Sequence, residues 1–243
     1  MPNKSILCVI PARFGSTRLP GKPLIMIKGL PLVMWTYNRA LDSGVFEKVC
    51  VATDDRRIVN AVERHGGVAV MTASDHKSGT DRVCEAAETW GGFDYVVNLQ
   101  GDEPLVPIGL FRRLGRNIGR IDDNSLLTCV SYATIDERDN PNVVKAVLNR
   151  SGEALYFSRS PIPFDRDGAG GSTLKHCGIY AFTRQGLKYF CGLPYGELEQ
   201  REKLEQLRAL EHGMKIRCFS FKYNGGSIDT PEDVKEFKKL VEG

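Results

Sequence analysis

Arg13, Arg18 and Lys22 lie close together on the stretch Val9–Leu24 (VIPARFGSTRLPGKPL), which also carries Gly15 and Gly21. Glycines that reach positive φ let successive backbone N–H groups turn toward one anion, and cations on the same loop add charge that the backbone lacks. The chemistry this suits is the holding of a polyphosphate. The Walker A pattern does not fit: five residues rather than four separate Gly15 from Gly21, and Pro23 stands where a magnesium-binding Ser or Thr belongs. The plainer reading is a basic connection between a strand and a helix, since Gly and Pro punctuate loops anyway.

Two acids could complete such a site. Asp102 follows the apolar run Asp94–Leu99 through Gln100 and Gly101, and Asp229 lies between a glycine turn at Gly225–Gly226 and a helix beginning near Pro231. Magnesium is held by one or two carboxylates with substrate oxygens and water, so two aspartates from separate strand ends would suffice. Each has a simpler role open to it, a turn residue for Asp102 and a charge complementing a helix N-terminus for Asp229. In Ser78–Arg82 (SGTDR), Ser78 or Thr80 reads as a helix cap. His176 reads as a structural histidine, because its neighbours Lys175 and Cys177 make no zinc spacing.

These residues need a frame. At 243 residues and 42% hydrophobic, the chain can bury a sizeable core as one domain, or a domain with a subdomain. Its first half alternates strand and helix patterns: strand Ile6–Ile10, helix Pro31–Ser43, strand Lys48–Thr53, helix Arg56–Arg64, strand Val68–Met71, helix Asp81–Trp90, strand Asp94–Leu99. Such alternation predicts a parallel sheet with ligands at the carboxyl ends of its strands. Strand-like runs at Leu126–Thr134, Val143–Leu148, Leu155–Ser158 and Ile179–Phe182, with a glycine-rich turn at Asp165–Ser172, predict an antiparallel excursion. A single helix is expected over Leu198–His212, a strand over Lys215–Phe221, and a final helix capped by Thr230 with Asp233 three residues on.

Composition narrows the class. The seven cysteines form no CxxC pair, which fits reduced thiols in a cytoplasmic protein better than disulfides or a zinc site. The first apolar run is too short for a signal peptide, and none approaches the ~18 residues of a membrane span. A net charge of +3 without basic blocks implies no nucleic-acid partner, while leaving room for a basic cleft.

Taken together, IPARFGSTRLPGKPL, VATDD at 51–55, SGTDR at 78–82, NLQGDEP at 98–104, YFSRSPIPFDR at 156–166, KHCGIYAF at 175–182, EKLEQLRALEHG at 202–213 and DTPED at 229–233 resemble the 3-deoxy-manno-octulosonate (Kdo) cytidylyltransferase family, the CMP-Kdo synthetases. The motifs run in the family's order from about Ile6 to Phe237. The resemblance implies a Rossmann-like, mostly parallel sheet flanked by helices within a single nucleotidyltransferase domain spanning 1–243, residues about 125–195 forming an inserted sugar-binding and dimerisation subdomain. It implies transfer of CMP from CTP to the anomeric hydroxyl of Kdo, with release of pyrophosphate, for lipopolysaccharide assembly. Magnesium and a homodimer are implied with it.

Carried over by position, the resemblance gives Arg13 and Lys22, with Ala12, Gly15 and Ser16, to the triphosphate. It gives Asp102 and Asp229 to the metal, Arg82 and Gln100 to the cytidine or sugar, and Arg159, His176, Tyr180 and Glu205 to the sugar. Phe164 stands where the family commonly has Trp, and Cys177 where Leu is frequent; neither change removes a catalytic group. One branch of the family, similar in its SRSPIPF and LEQLRALEHG segments, uses an 8-amino sugar, and exchange of one hydroxyl for an amine asks only for a different hydrogen-bond partner. A cytidylyltransferase for another acid sugar, such as a sialic acid, and a silent nucleotide-binding module on the same fold are the alternatives.

Overall fold

The computed structural model describes residues 4–15, 19–168, 170–223 and 226–242. In chain order its elements are β1 (Ile6–Pro11), β2 (Met26–Ile27), β3 (Leu30–Pro31), α1 (Leu32–Asp42), β4 (Lys48–Thr53), α2 (Arg56–Arg64), β5 (Ala69–Met71), α3 (Gly79–Thr89), β6 (Tyr95–Leu99) and α4 (Ile108–Asn117). Then come β7 (Ser125–Tyr132), α5 (Ile135–Asp139), β8 (Lys145–Leu148), β9 (Ala154–Ser158), β10 (Leu174–Thr183), α6 (Arg184–Gly192), α7 (Glu197–Glu202), α8 (Gln206–Glu211), β11 (Lys215–Ser220) and α9 (Pro231–Glu242). They gather into two compact units, Met1–Arg112 with Gly225–Gly243, and Arg113–Asn224.

In the first unit β1 lies between β6 and β4, β5 follows β4, and all these pairings are parallel. Leu7, Cys8, Val9 and Ile10 are fully buried on successive positions, which is why β1 reads as a continuous apolar run rather than an alternating one. Parallel pairing brings the ends of β1, β4 and β6 to one edge, where Ala12, Asp54 and Gln100 begin the loops that matter for chemistry. Three helices of this unit, α2, α3 and α9, start where side chains satisfy their first N–H groups. Asp55 accepts from Arg57 N at α2, and Ser78 and Asp81 form a reciprocal box at α3. At α9, Thr230 Oγ1 accepts from Asp233 N (3.2 Å) while Asp233 Oδ2 accepts from Thr230 N (2.7 Å). Ile228, Val234 and Phe237 bury against Ile27 and Leu32, and the Trp35 and Phe237 rings meet edge to face at 5.3 Å. That packing anchors the segment carrying Asp229.

In the second unit β7 pairs parallel with β11 and antiparallel with β10, and the ladder continues antiparallel through β8 to β9. The mostly parallel helix-flanked sheet and the antiparallel excursion are thus both present. The register of β10 against β7 slips between Cys177 and Tyr180, a bulge that brings the His176 and Tyr180 rings to 5.3 Å.

One expectation needs correction. Leu198–His212 is two helices, α7 and α8, broken at Lys203, whose φ of 54° is left-handed. The break lets the Arg208 guanidinium, fully buried, fold back on Glu199 with bonds of 2.8 and 2.6 Å, an arrangement the apolar periodicity of Leu204 and Leu207 does not signal. Helices α4, α5 and α6 also escape the sequence reading. In α6, Gly186 and Gly192 obscure the pattern, while Thr183 caps the start by accepting from Gly186 N.

Candidate active site

A cleft of about 210 Å³ opens at the carboxyl edge of the first unit's sheet, lined by Pro11, Ala12, Arg13, Gly15, Lys22, Pro23, Gln100, Gly101 and Asp102. Gly21 supplies the loop's reversal, with φ of 69° and its N–H donated to Phe14 O at 3.0 Å, and starts the short helical turn Lys22–Leu24. That turn aims Lys22 inward. Its Nζ donates to Asp102 Oδ2 at 2.6 Å and to Asp229 Oδ1 at 3.0 Å. Burial alone would lower the Lys22 pKa, but the two carboxylates more than offset it, and the net shift is upward. The ammonium stays charged.

The two aspartates are placed from different directions. A Cβ on Gly101 would stand 3.1 Å from Ile10 Cγ2 and 3.2 Å from Pro11 O, so glycine lets the strand-end loop pass close to β1 without displacing either neighbour. Thr36 Oγ1 donates to Gly101 O at 3.1 Å, and Ile228 N donates to Asp102 O at 2.9 Å, stitching the loop to the segment before α9. Asp229 receives Ser227 Oγ on Oδ2 (2.8 Å) and donates its own N–H to Asp233 (2.8 Å).

These carboxylates already face one cation together, and such hard oxygen donors fit magnesium. No group of three or more His, Cys, Asp or Glu side chains able to hold a metal occurs among the described residues. The remaining ligands would therefore come from substrate oxygens and water.

The arginines bond to partners other than this ion pair. Arg13 Nη2 donates to Ser78 O at 2.8 Å. Arg82, with no exposed side-chain surface, donates to Asp54 Oδ2 at 3.0 Å and to Thr72 Oγ1, while its Nε has no hydrogen-bond partner among the described residues. Burial lowers the Arg82 pKa; Asp54 opposes that and the nearby Arg13 charge adds to it. Gln100 Nε2 donates to Asn98 Oδ1 at 3.3 Å, and buried Asn98 donates in turn to Thr80 at 2.9 Å. The structure therefore brings Ala12, Arg13, Gly15, Lys22, Gln100 and Asp102 to one cleft, with Asp229 joined through Lys22. Arg82 is not among its lining residues. Ser16 and Arg18 lie outside the described residues, as does Gly225 of the expected turn. The holders Thr72 and Ser227 carry no sequence signal, whereas Asp54 and Ser78 stand in the VATDD and SGTDR segments.

The second unit carries Arg159, His176, Tyr180 and Glu205. Arg159 is fixed by bonds from Nε to Glu202 O (2.8 Å) and from Nη1 to Pro141 O (3.0 Å). Tyr180 donates to Gln206 Oε1 at 3.0 Å, and half-buried Glu205 stands at the start of α8. His176 Nε2 meets Thr128 Oγ1 at 2.8 Å and packs edge to face on Phe157 at 5.2 Å. Desolvation among these groups pulls its pKa down to about 3. The imidazole is neutral at working pH. Because the folded pKa lies below the unfolded value of about 6.5, the stability this provides is complete above that value and is lost as pH falls from there toward 3. NMR of the imidazole carbons should show no His176 titration between pH 5 and 8; an inflection near 6.5 would contradict this environment.

The chain matches the family model described as cytidylyltransferase over residues 7–216. A 3-deoxy-manno-octulosonate cytidylyltransferase of Thermodesulfovibrio yellowstonii is 45% identical over 248 residues, covering 97% of this chain and 97% of that protein. An 8-amino-3,8-dideoxy-manno-octulosonate cytidylyltransferase of Shewanella halifaxensis is 44% identical over 237 residues, covering 95% and 96%. Among solved structures, a CMP:2-keto-3-deoxy-manno-octonic acid synthetase complexed with CTP matches with a TM-score of 0.93 at 41% identity, covering 98% of this chain and 99% of that one.

Proposed function

We propose that this chain, which belongs to the 3-deoxy-manno-octulosonate cytidylyltransferase family, transfers CMP from CTP to the anomeric hydroxyl of Kdo or of its 8-amino analogue. The observation that carries the reading is the cleft in which Arg13, Lys22, Gln100 and Asp102 meet, with Lys22 bridging Asp102 and Asp229. In the reaction a bond forms between the sugar oxygen and the α-phosphorus as pyrophosphate departs. Little covalent chemistry falls to the protein, so its work is positioning and charge neutralisation.

Arg13, steadied by the Ser78 carbonyl, and Lys22 hold the triphosphate and offset charge on the leaving pyrophosphate, with backbone from Ala12 to Ser16. Asp102 and Asp229 would hold magnesium. The chemistry that magnesium supplies when bound is neutralisation of the α-phosphate and easier loss of the hydroxyl proton. Arg82 and Gln100 read the cytidine or sugar. Arg159, His176, Tyr180 and Glu205 bind the sugar, His176 as a neutral hydrogen-bonding group rather than a charge.

Residues about 125–195 serve as the inserted sugar-binding and dimerisation subdomain of one nucleotidyltransferase domain. Exposed Tyr132, Ile135, Leu155 and Phe164 support a homodimer face there. Seven free thiols accord with a reducing cytoplasm, and no helix among the described residues is long and apolar enough to cross a membrane. The product serves lipopolysaccharide assembly.

The test is mass spectrometry of products from CTP, magnesium and Kdo. A CMP-sugar that vanishes with EDTA and returns with added magnesium is expected; a CMP-sugar formed at full rate in EDTA would remove the metal role.

A further inference from the structure

The connection between β5 and α3, residues 72–78, grips both arginines: Thr72 Oγ1 accepts from Arg82 and Ser78 O accepts from Arg13 at 2.8 Å. Its first residue is tied to β4 by Thr72 N donating to Thr53 O at 2.9 Å, and its last by the Ser78–Asp81 box. Between those ties Ala73, Ser74 and Asp75 are exposed.

What reaches the middle is Glu85, from the second turn of α3. Its carboxylate accepts from Ala73 N through both oxygens, at 3.2 and 2.9 Å, and contacts His76 Nε2. One side chain thus closes the loop back onto the helix that bears Arg82. Desolvation would raise the Glu85 pKa, but the hydrogen bonds from His76 and Ala73 more than offset it and hold the carboxyl below its ordinary value.

We propose that Glu85 is a positioning residue: it latches the 72–78 loop and so fixes Arg13 for a nucleoside triphosphate. This rests on the cytidylyltransferase reading above. Glu85 touches no substrate in this account. It acts through the loop, and its removal weakens CTP binding while leaving the sugar side alone.

The experiment is calorimetric titration of the full chain with CTP and magnesium, together with steady-state KM for CTP and for Kdo. Glu85→Ala is expected to raise the CTP Kd about tenfold, the scale of a lost charged hydrogen bond, with the Kdo KM unchanged. Glu88→Ala, one turn further along the same helix, is expected to leave both values as they are. In an Arg13→Ala background the Glu85→Ala effect should shrink to about twofold, since the two residues act on one contact. An unchanged CTP Kd, or the whole factor persisting without Arg13, overturns the latch. Should Glu85→Ala fail to fold, Glu85→Gln keeps the shape and is read by the same criteria. Wild-type protein that binds no CTP overturns the cytidylyltransferase reading itself, an outcome distinct from binding that ignores Glu85.

Discussion

Asp102→Asn should fold as the parent does and lose at least about a thousandfold in turnover, the scale seen when a group that stabilises transition-state charge is removed. Asparagine keeps the side-chain shape and an oxygen that can accept from Lys22 Nζ, now 2.6 Å from Asp102 Oδ2. The backbone bond from Ile228 N to Asp102 O is untouched. What disappears is one of the two negative charges that converge on Lys22, and with it half of the carboxylate set assigned to magnesium. The check is turnover at saturating CTP and sugar beside a thermal melt, the melting temperature staying within about 4 °C. Normal turnover by the variant would remove the metal role from Asp102.

The second large effect concerns stability and lies in the other unit. Glu199→Ala strips the Glu199 carboxylate from Arg208, whose guanidinium is fully buried against the Phe190 ring at 4.8 Å and the Tyr195 ring at 4.2 Å. Breaking a buried ion pair by removing one member costs about 3–5 kcal/mol, so the melting temperature should fall by roughly 10 °C. A double variant, Glu199→Met with Arg208→Met, removes both charges and should recover much of the loss. A melting temperature for Glu199→Ala equal to the parent's would show that the ion pair does not hold the α7–α8 corner.

How far the sequence speaks follows from which signals are local. Lys48–Thr53 and Arg56–Arg64 are legible to the residue, because a two-faced apolar strand and a helix capped by Asp55 each carry their own pattern. The cation-bearing loop is legible from Gly21 and Lys22, whereas Gly15 does not take the positive φ expected of it. The meeting of Asp102 with Asp229 is not, since nothing near either residue states that the Pro231 helix packs against α1; the family resemblance pointed to that pair where spacing could not.

The corner at Lys203 escapes for a related reason. Leu204 and Leu207 continue the apolar period across it, while the force that bends the chain is a buried pair between Glu199 and Arg208. Glu85 escapes as well, because a carboxylate on a half-exposed helix face reads as solvated until the N–H of Ala73 is seen against it.

The central claim is tested most directly by pyrophosphate release from CTP and magnesium with Kdo and its 8-amino analogue in parallel, beside sialic acid and no-sugar controls. The account predicts turnover with an octulosonate and none in the controls, and the ratio of kcat/KM between the two octulosonates identifies the preferred sugar. Release with sialic acid alone, or no release with any sugar, would contradict it.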